Sequence, residues 1–258
     1  MAVLDILTVS KIFTSNEEKM IHLMKSKAKE VAKDIVSKFD FVSPTFASRV
    51  NHGNVIIAGG CFVSWYNFHP PNDIDVFILD DYDTKMAFDL YADHAMNTAR
   101  NSIASPVKDK SDYIRSNKKI TKVVEEHDQK HVGRKYQYIH TDYKTRRELL
   151  DHFDFIHTTV SYNIGEDKLY ITREAFDCIK KKELKINNGN EPEQWRTEKF
   201  VRKGWSVFLG DKFDKNLMQW ERAHDELDSV AILSITGYNA KELSDKLVIS
   251  KQRYSTLT

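Results

Sequence analysis

Asp73-Ile74-Asp75 sets two carboxylates two residues apart, and in an extended segment such side chains project from one face. Bare carboxylates side by side repel, and each tends to keep its proton unless a cation compensates. Mg²⁺ is the fitting cation, because it takes oxygen ligands and is satisfied by one or two carboxylates plus substrate phosphates. A further acid, Asp154, stands between Phe153 and Phe155 in a stretch that reads as a strand. If that strand lies beside the Asp73/Asp75 strand, the three acids could hold two divalent ions about 3.5–4 Å apart for in-line phosphoryl chemistry. Asp151 is a weaker candidate, since it closes the preceding helix. Upstream, Gly59-Gly60 ends an apolar run and precedes a helical pattern. Glycines let backbone approach a ligand closely, and a following helix offers unpaired N–H groups to phosphate. Each feature alone has an ordinary structural explanation: a tight turn, or solvated acids at a strand end.

These residues need elements to place them. Ser15-Asn16-Glu17-Glu18 reads as a capping box opening a helix that Ser43-Pro44 closes. Residues 54–58 and 73–79 read as strands, with a short helix over 61–68 between them. Thr84 is expected to cap a helix reaching about Ala99, and residues 100–118 read as a polar loop. Strands are expected over 119–124, 135–141, 153–162 and 168–171, with a helix over 143–150 and a turn at 163–166. Thr172 is expected to cap a helix through Lys182. Pro192 suits the first turn of a helix running to about Leu209, and residues 212–258 look mostly helical with a breaker at Gly237. The fold class is α+β: a mixed sheet of about five strands with flanking helices, then a helical C-terminal portion. The expected domains are residues 1–171 and 172–258.

The series Ile57-Ala58-Gly59-Gly60 … Asn72-Asp73-Ile74-Asp75-Val76-Phe77 resembles the signature of the polymerase-β-like nucleotidyltransferase superfamily. The similarity is greatest to the head domain of the tRNA CCA-adding enzyme and poly(A) polymerase family, with its Pro-containing loop before Asp-Ile-Asp. Asp154-Phe155-Ile156-His157 is similar to that family's Asp-Phe-Thr strand, and Trp195 to Trp205 to its Arg-rich helix. The resemblance runs in order over about residues 50–205. It implies a Mg²⁺-dependent transfer of NMP from an NTP such as ATP to a hydroxyl or phosphate on RNA, protein or a small molecule. Asp73, Asp75 and Asp154 would hold two metal ions, and Asp154 could instead accept the hydroxyl proton. Gly59 and Gly60 would approach the nucleotide. Two arginines precede the family's Asp-Phe-Thr and help hold nucleotide; His152 and Phe153 stand there in this chain. The family's base-reading helix is also not evident. The chain therefore resembles a divergent, stand-alone member, expected to be phage-encoded and to act in the host cytoplasm. The alternative is a catalytically inactive descendant serving as a binding or structural module.

The charge pattern is compatible with either. Of 258 residues, 39 are Lys or Arg and 38 Asp or Glu, for a formal charge of +1. The near-zero sum argues against a bulk nucleic-acid coat. It hides an acidic stretch from Asp73 to Asp93 followed by basic stretches over 106–146 and 176–203. Arg196, Lys199 and Lys203 are spaced i, i+3, i+7, so on one helix they would share a face able to hold the departing pyrophosphate, or simply form a solvated stripe. Two cysteines are too few for a disulfide framework and point to a reducing cytosol. No apolar run is long enough for a membrane span. His127-Asp128-Gln129-Lys130-His131 mimics a zincin motif but lies between strands in a polar segment, so a basic loop is the preferred reading. Cys61 at a helix start could carry a lowered thiol pKa, though a small packed residue is preferred. Trp195, Trp205 and Trp220 read as core residues.

Overall fold

The computed structural model describes residues 13–42, 50–99, 107–109, 119–127, 134–188, 190, 192 and 194–208. The expected breaker at Gly237, Trp220, most of the 100–118 loop and His131 lie outside them. Two compact units are formed, one from residues up to Phe153 with His157–Phe176, the other from Asp154–Ile156 and the chain from Asp177 onward.

In the first unit, helix α1 (Ser15–Val42) leads to strand β1 (Val55–Ala58), helix α2 (Cys61–Tyr66), strand β2 (Asp73–Ile78) and helix α3 (Tyr82–Ala99). Strands β3 (Val107–Asp109), β4 (Ile120–His127) and β5 (Lys135–Thr141) follow, then helix α4 (Arg146–Asp151) and strands β6 (Ser161–Asn163) and β7 (Lys168–Tyr170). Helix α5 (Arg173–Lys181) runs from this unit into the next. The strands make one seven-stranded sheet in the order β3-β4-β5-β2-β1-β6-β7. All its pairings are antiparallel except β2–β5. The sheet is thus mixed, as expected, and wider than the expected five strands.

Register divides the side chains between two faces. On one, Val76, Tyr138 and Val124 are buried, and Phe88 of α3 lies 4.7 Å from the Tyr138 ring while Lys38 of α1 sits 4.1 Å over Tyr136. On the other, Ile56, Phe77, Ile139 and Val123 form a core with Leu149 and Leu150 of α4, and Phe153 packs 5.4 Å from Phe77. This second core stops short of the sheet's edge. Beyond it the same face carries Asp73, Asp75, Lys135, Gln137, Glu125 and His127. The transition from apolar to polar along one face is what exposes the candidate site.

Several expected boundaries move. The capping box is built on Thr14, whose N–H donates to Glu17 Oε2 at 3.0 Å while its hydroxyl accepts from Glu17 N at 3.4 Å. Helix α3 is capped by Asp81, which accepts from Thr84 N at 2.8 Å, so Thr84 stands three residues inside. The expected strand over 153–162 is broken: residues Ile156–Thr159 form a 3₁₀ turn and only Ser161–Asn163 joins the sheet. Apolar-polar alternation around Asp154 is genuine, but it supports a lone bridge from Phe155 to Ile186 and no strand beside β2. His127 ends β4 and is not helical, so the zincin spacing is not on a helix.

The second unit carries strand β8 (Glu183–Lys185), helix α6 (Gln194–Val201) and strand β9 (Ser206–Phe208), with β8 and β9 parallel. The expected helix to Leu209 ends early because Gly204, at φ 79°, closes it. Its N–H reaches Val201 O at 2.8 Å and Trp205 N reaches Phe200 O at 3.2 Å, the paired bonds of a Schellman motif. Among the described residues, Trp205 is buried while Trp195 is 52% exposed, so only the former joins a core.

Two buried histidines give the fold a defined response to acid. Burial, opposed by Asp89 and aided by Lys122 and Lys85, holds the His140 imidazole at about 4, and burial holds His157 at about 3. Both fold in the neutral form, whereas the unfolded chain protonates near pH 6.5. Their contribution is therefore complete above about pH 6.5 and is lost as pH falls toward 4 and 3, at roughly 1.4 kcal/mol per pH unit for each. Urea midpoints should fall steadily from pH 6.5 to 4.5, and more shallowly in a His140→Gln variant. A flat profile over that range would contradict the assignment.

Candidate functional site

Asp73 and Asp75 open β2, and their side chains leave the same sheet face, as their spacing predicts. Asp73 is exposed, and its side chain makes no hydrogen bond or ion pair among the described residues. Asp75 is half-buried and stands opposite Ala58, the last residue of β1. The next residue, Gly59, adopts φ 95°, and a Cβ there would lie 3.0 Å from Asp75 Oδ2. Only glycine fits both the backbone angle and the gap. Gly60 differs: it is helical at φ −66°, and a Cβ on it would meet nothing within 4 Å. Gly60 is the N-cap of α2 and has no side chain with which to cap it. The Gly pair and the Asp pair, separated by a loop in sequence, thus meet at one end of β1 and β2.

Cys61 is 2% exposed, and burial followed by the charge of Asp75 pushes its thiol well above the ordinary value. The thiol is packed and protonated, contrary to any lowering by the helix start.

The neighbour of β2 on its other side is β5. Lys135 stands opposite Asp73, and Gln137 opposite Asp75. The next strand places Glu125, 3% exposed, opposite Gln137. Glu125 accepts from Gln137 Nε2 at 3.2 Å and pairs with Lys135 Nζ at 3.3 Å. Sequence reading did not find this trio, because strand periodicity marks a strand without naming its partner.

Asp154, Arg196, Lys199 and Lys203 all fall in the second unit. Arg196 Nη1 lies 2.6 Å from Asp154 Oδ2, and Asn187 N donates to the Asp154 carbonyl at 2.8 Å. Arg196 and Lys199 share α6. Lys203 lies in the turn beyond it, so the three do not line one helix face.

Residues 43–182, more than half of the chain, match the model of the Gad2 family, described as "Gabija anti-defense 2 family protein". The chain belongs to the Gabija anti-defense 2 family. The family is a phage family, in keeping with the phage origin that the resemblance had raised. None of the curated proteins matches the chain. Among solved structures, it is similar to a CCA-adding enzyme with ATP, at 11% identity over 90% of this chain and 54% of that one, TM-score 0.49. It is similar to the Thermotoga maritima CCA-adding enzyme complexed with tRNA, at 11% over 86% and 47%, TM-score 0.45. A tRNA nucleotidyltransferase with a primer tRNA and an incoming ATP analog matches at 12% over 70% and 51%, TM-score 0.45. The family member spans about half the length of these enzymes.

The donor set of this family member fits one hard cation. Two carboxylates on one face leave coordination positions for water and phosphate, the arrangement Mg²⁺ prefers. Among the described residues, no group of three or more His, Cys, Asp and Glu stands ready to hold a metal. Also among them, no helix is long and apolar enough to cross a membrane.

The glycines separate structure from ligand approach. Gly59→Ala should cost about 1–3 kcal/mol, since it strains the backbone and crowds the Asp75 carboxylate. Gly60→Ala should leave the melting temperature unchanged to within about 2 °C, a shift expected of a substitution below 1 kcal/mol. A strong loss of stability in the Gly60 variant, measured by thermal unfolding, would contradict this division.

Proposed function

We propose that this family member is a Mg²⁺-dependent nucleotidyltransferase that moves NMP from an NTP to an acceptor on RNA, protein or a small molecule, releasing pyrophosphate. The observation that carries the reading is the meeting of Gly59-Gly60 with Asp73 and Asp75 at one sheet end. The family description adds a setting, opposition to the Gabija defence, in which the acceptor would be a component of that contest.

The chain's residues divide the work as follows. Asp73 and Asp75 would hold the cation, with its remaining positions left for water and substrate phosphate. Bound Mg²⁺ would supply Lewis-acid polarisation and charge neutralisation. Gly60 leaves the backbone open to the nucleotide, and positioning with electrostatic stabilisation lowers the barrier. Asp154 and Arg196 form an ion pair within the second unit.

The second reading, an inactive binding module of the same fold, draws on β5. The strand beside the Asp pair offers Lys135 and Gln137 in place of an acid. Incubation with each α-labelled NTP, Mg²⁺ and a mixture of acceptors separates the two. Label transfer supports the enzyme. Absence of transfer, with full biological activity of an Asp73→Ala/Asp75→Ala variant, sinks it in favour of the binding module.

A further inference from the structure

The row of residues containing Asp75 continues through Ala58 and Ser161 to Tyr170 on β7. Against its far end lies Arg146, from α4. Its guanidinium carbon is 3.6 Å from the Tyr170 ring centroid, and Nη1 donates to Ser161 Oγ at 3.5 Å, the long limit of a hydrogen bond. Arg146 is half-buried and has no ion-pair partner among the described residues. Burial pulls its pKa below the ordinary arginine value, against the fields of Tyr170 and Glu166. Glu166 itself is engaged elsewhere, accepting from the Tyr170 hydroxyl and from Asn163 Nδ2 at 3.1 Å.

Four other described arginines pair with carboxylates: Arg173 with Glu17, Arg196 with Asp154, Arg147 with Asp151 and Arg202 with Glu198. Arg146 is withdrawn from water without that return. A guanidinium has five N–H donors, and one long contact leaves most of them for a ligand. Stacking on Tyr170 orders the group while leaving its donors to planar or tetrahedral anions. Ser161 stands two strands from Asp75, about 10 Å at ordinary strand spacing. One divalent cation on Asp73 and Asp75 only balances those two carboxylates, so the phosphates of a nucleotide need a further positive group.

We propose that Arg146 binds a phosphate of the nucleotide, beside the sheet row that contains Asp75; the identity of the anion rests on the nucleotidyltransferase reading.

Calorimetric titration of the full chain with ATP, inorganic tripolyphosphate and adenosine tests this. Arg146→Gln should weaken ATP and tripolyphosphate about 10- to 100-fold, as expected for loss of a charge-assisted hydrogen-bond pair, and leave adenosine unchanged. Arg146→Lys should recover part of the loss. Arg147→Gln, on the exposed neighbour, should bind like the wild type. A merely structural arginine would lower the melting temperature when removed. Here Arg146→Gln should melt at or above the wild-type temperature without ligand, and tripolyphosphate should raise only the wild type. Equal tripolyphosphate affinity in wild type and Arg146→Gln overturns the proposal, as does no binding to either. Arg146-dependent tripolyphosphate binding in a protein that transfers no NMP upholds it while the enzyme reading falls.

Discussion

Replacing Asp73 and Asp75 together by alanine should abolish NMP transfer, by on the order of 10³-fold or more, while leaving a folded protein. The size follows from losing the metal's charge stabilisation at the reacting phosphate, worth several kcal/mol. The fold should survive because Asp73 is exposed and the buried members of β2 are Ile74, Val76, Phe77 and Ile78. Stability without metal should hold or rise, since two like charges on one face are removed. Asp75 also helps keep the Cys61 thiol protonated, so Asp75→Asn should lower that thiol's pKa, though burial keeps it high. Transfer measured with labelled NTP, beside melting curves with and without Mg²⁺, gives both halves of the result. Unchanged transfer in a well-folded double variant would remove these carboxylates from the chemistry.

The largest effect on stability is expected from Gly165→Ala, although residue 165 is exposed. Gly165 lies in the turn between β6 and β7, and its N–H donates to His52 O at 3.0 Å. A Cβ there would sit 2.4 Å from Gly53 N and 2.7 Å from the His52 carbonyl carbon. Both are backbone atoms of a 3₁₀ turn that immediately precedes β1, so no side chain can swing aside. The β6–β7 edge or the start of β1 must move instead. A cost of about 3 kcal/mol is expected for such overpacking, or about 10 °C of melting temperature in a chain of this size. An alanine variant melting within about 2 °C of the wild type would show that the turn yields freely.

What could be read from sequence follows the range of the interactions. Gly59-Gly60 and Asp73-Ile74-Asp75 were legible because turn chemistry and strand alternation are local. The three-acid site around Asp154 was an inference about which strands are neighbours, and no local pattern carries that. The parallel pairing of β2 with β5 joins Asp73 to Lys135 across some sixty residues. Phe153-Asp154-Phe155 alternates as a strand would, yet Phe153 packs on Phe77 while Phe155 packs 5.5 Å from Phe200 in the other unit. Some misses had signals. Gly204 is a helix stop in plain view, and Thr145-Arg146-Arg147-Glu148 is a capping box, with Glu148 N donating to Thr145 Oγ1 at 3.1 Å. Arg146 as a lone guanidinium had none, since its isolation depends on where Tyr170 and Glu166 fall.

The bidentate pair between Arg173 and Glu17, at 2.8 and 3.2 Å, joins the first turn of α1 to the first turn of α5, 156 residues apart. Glu17 is 6% exposed, and the same carboxylate caps its own helix through Thr14. The sheet-bearing unit is therefore a loop of chain fastened at its two extremities, and the fastening closes almost the whole unit at once. Such a closed loop can be recut: a circular permutant joined near 17 and 173 and opened at a surface turn should keep the sheet. A version trimmed past Glu17 would instead come undone from the seam.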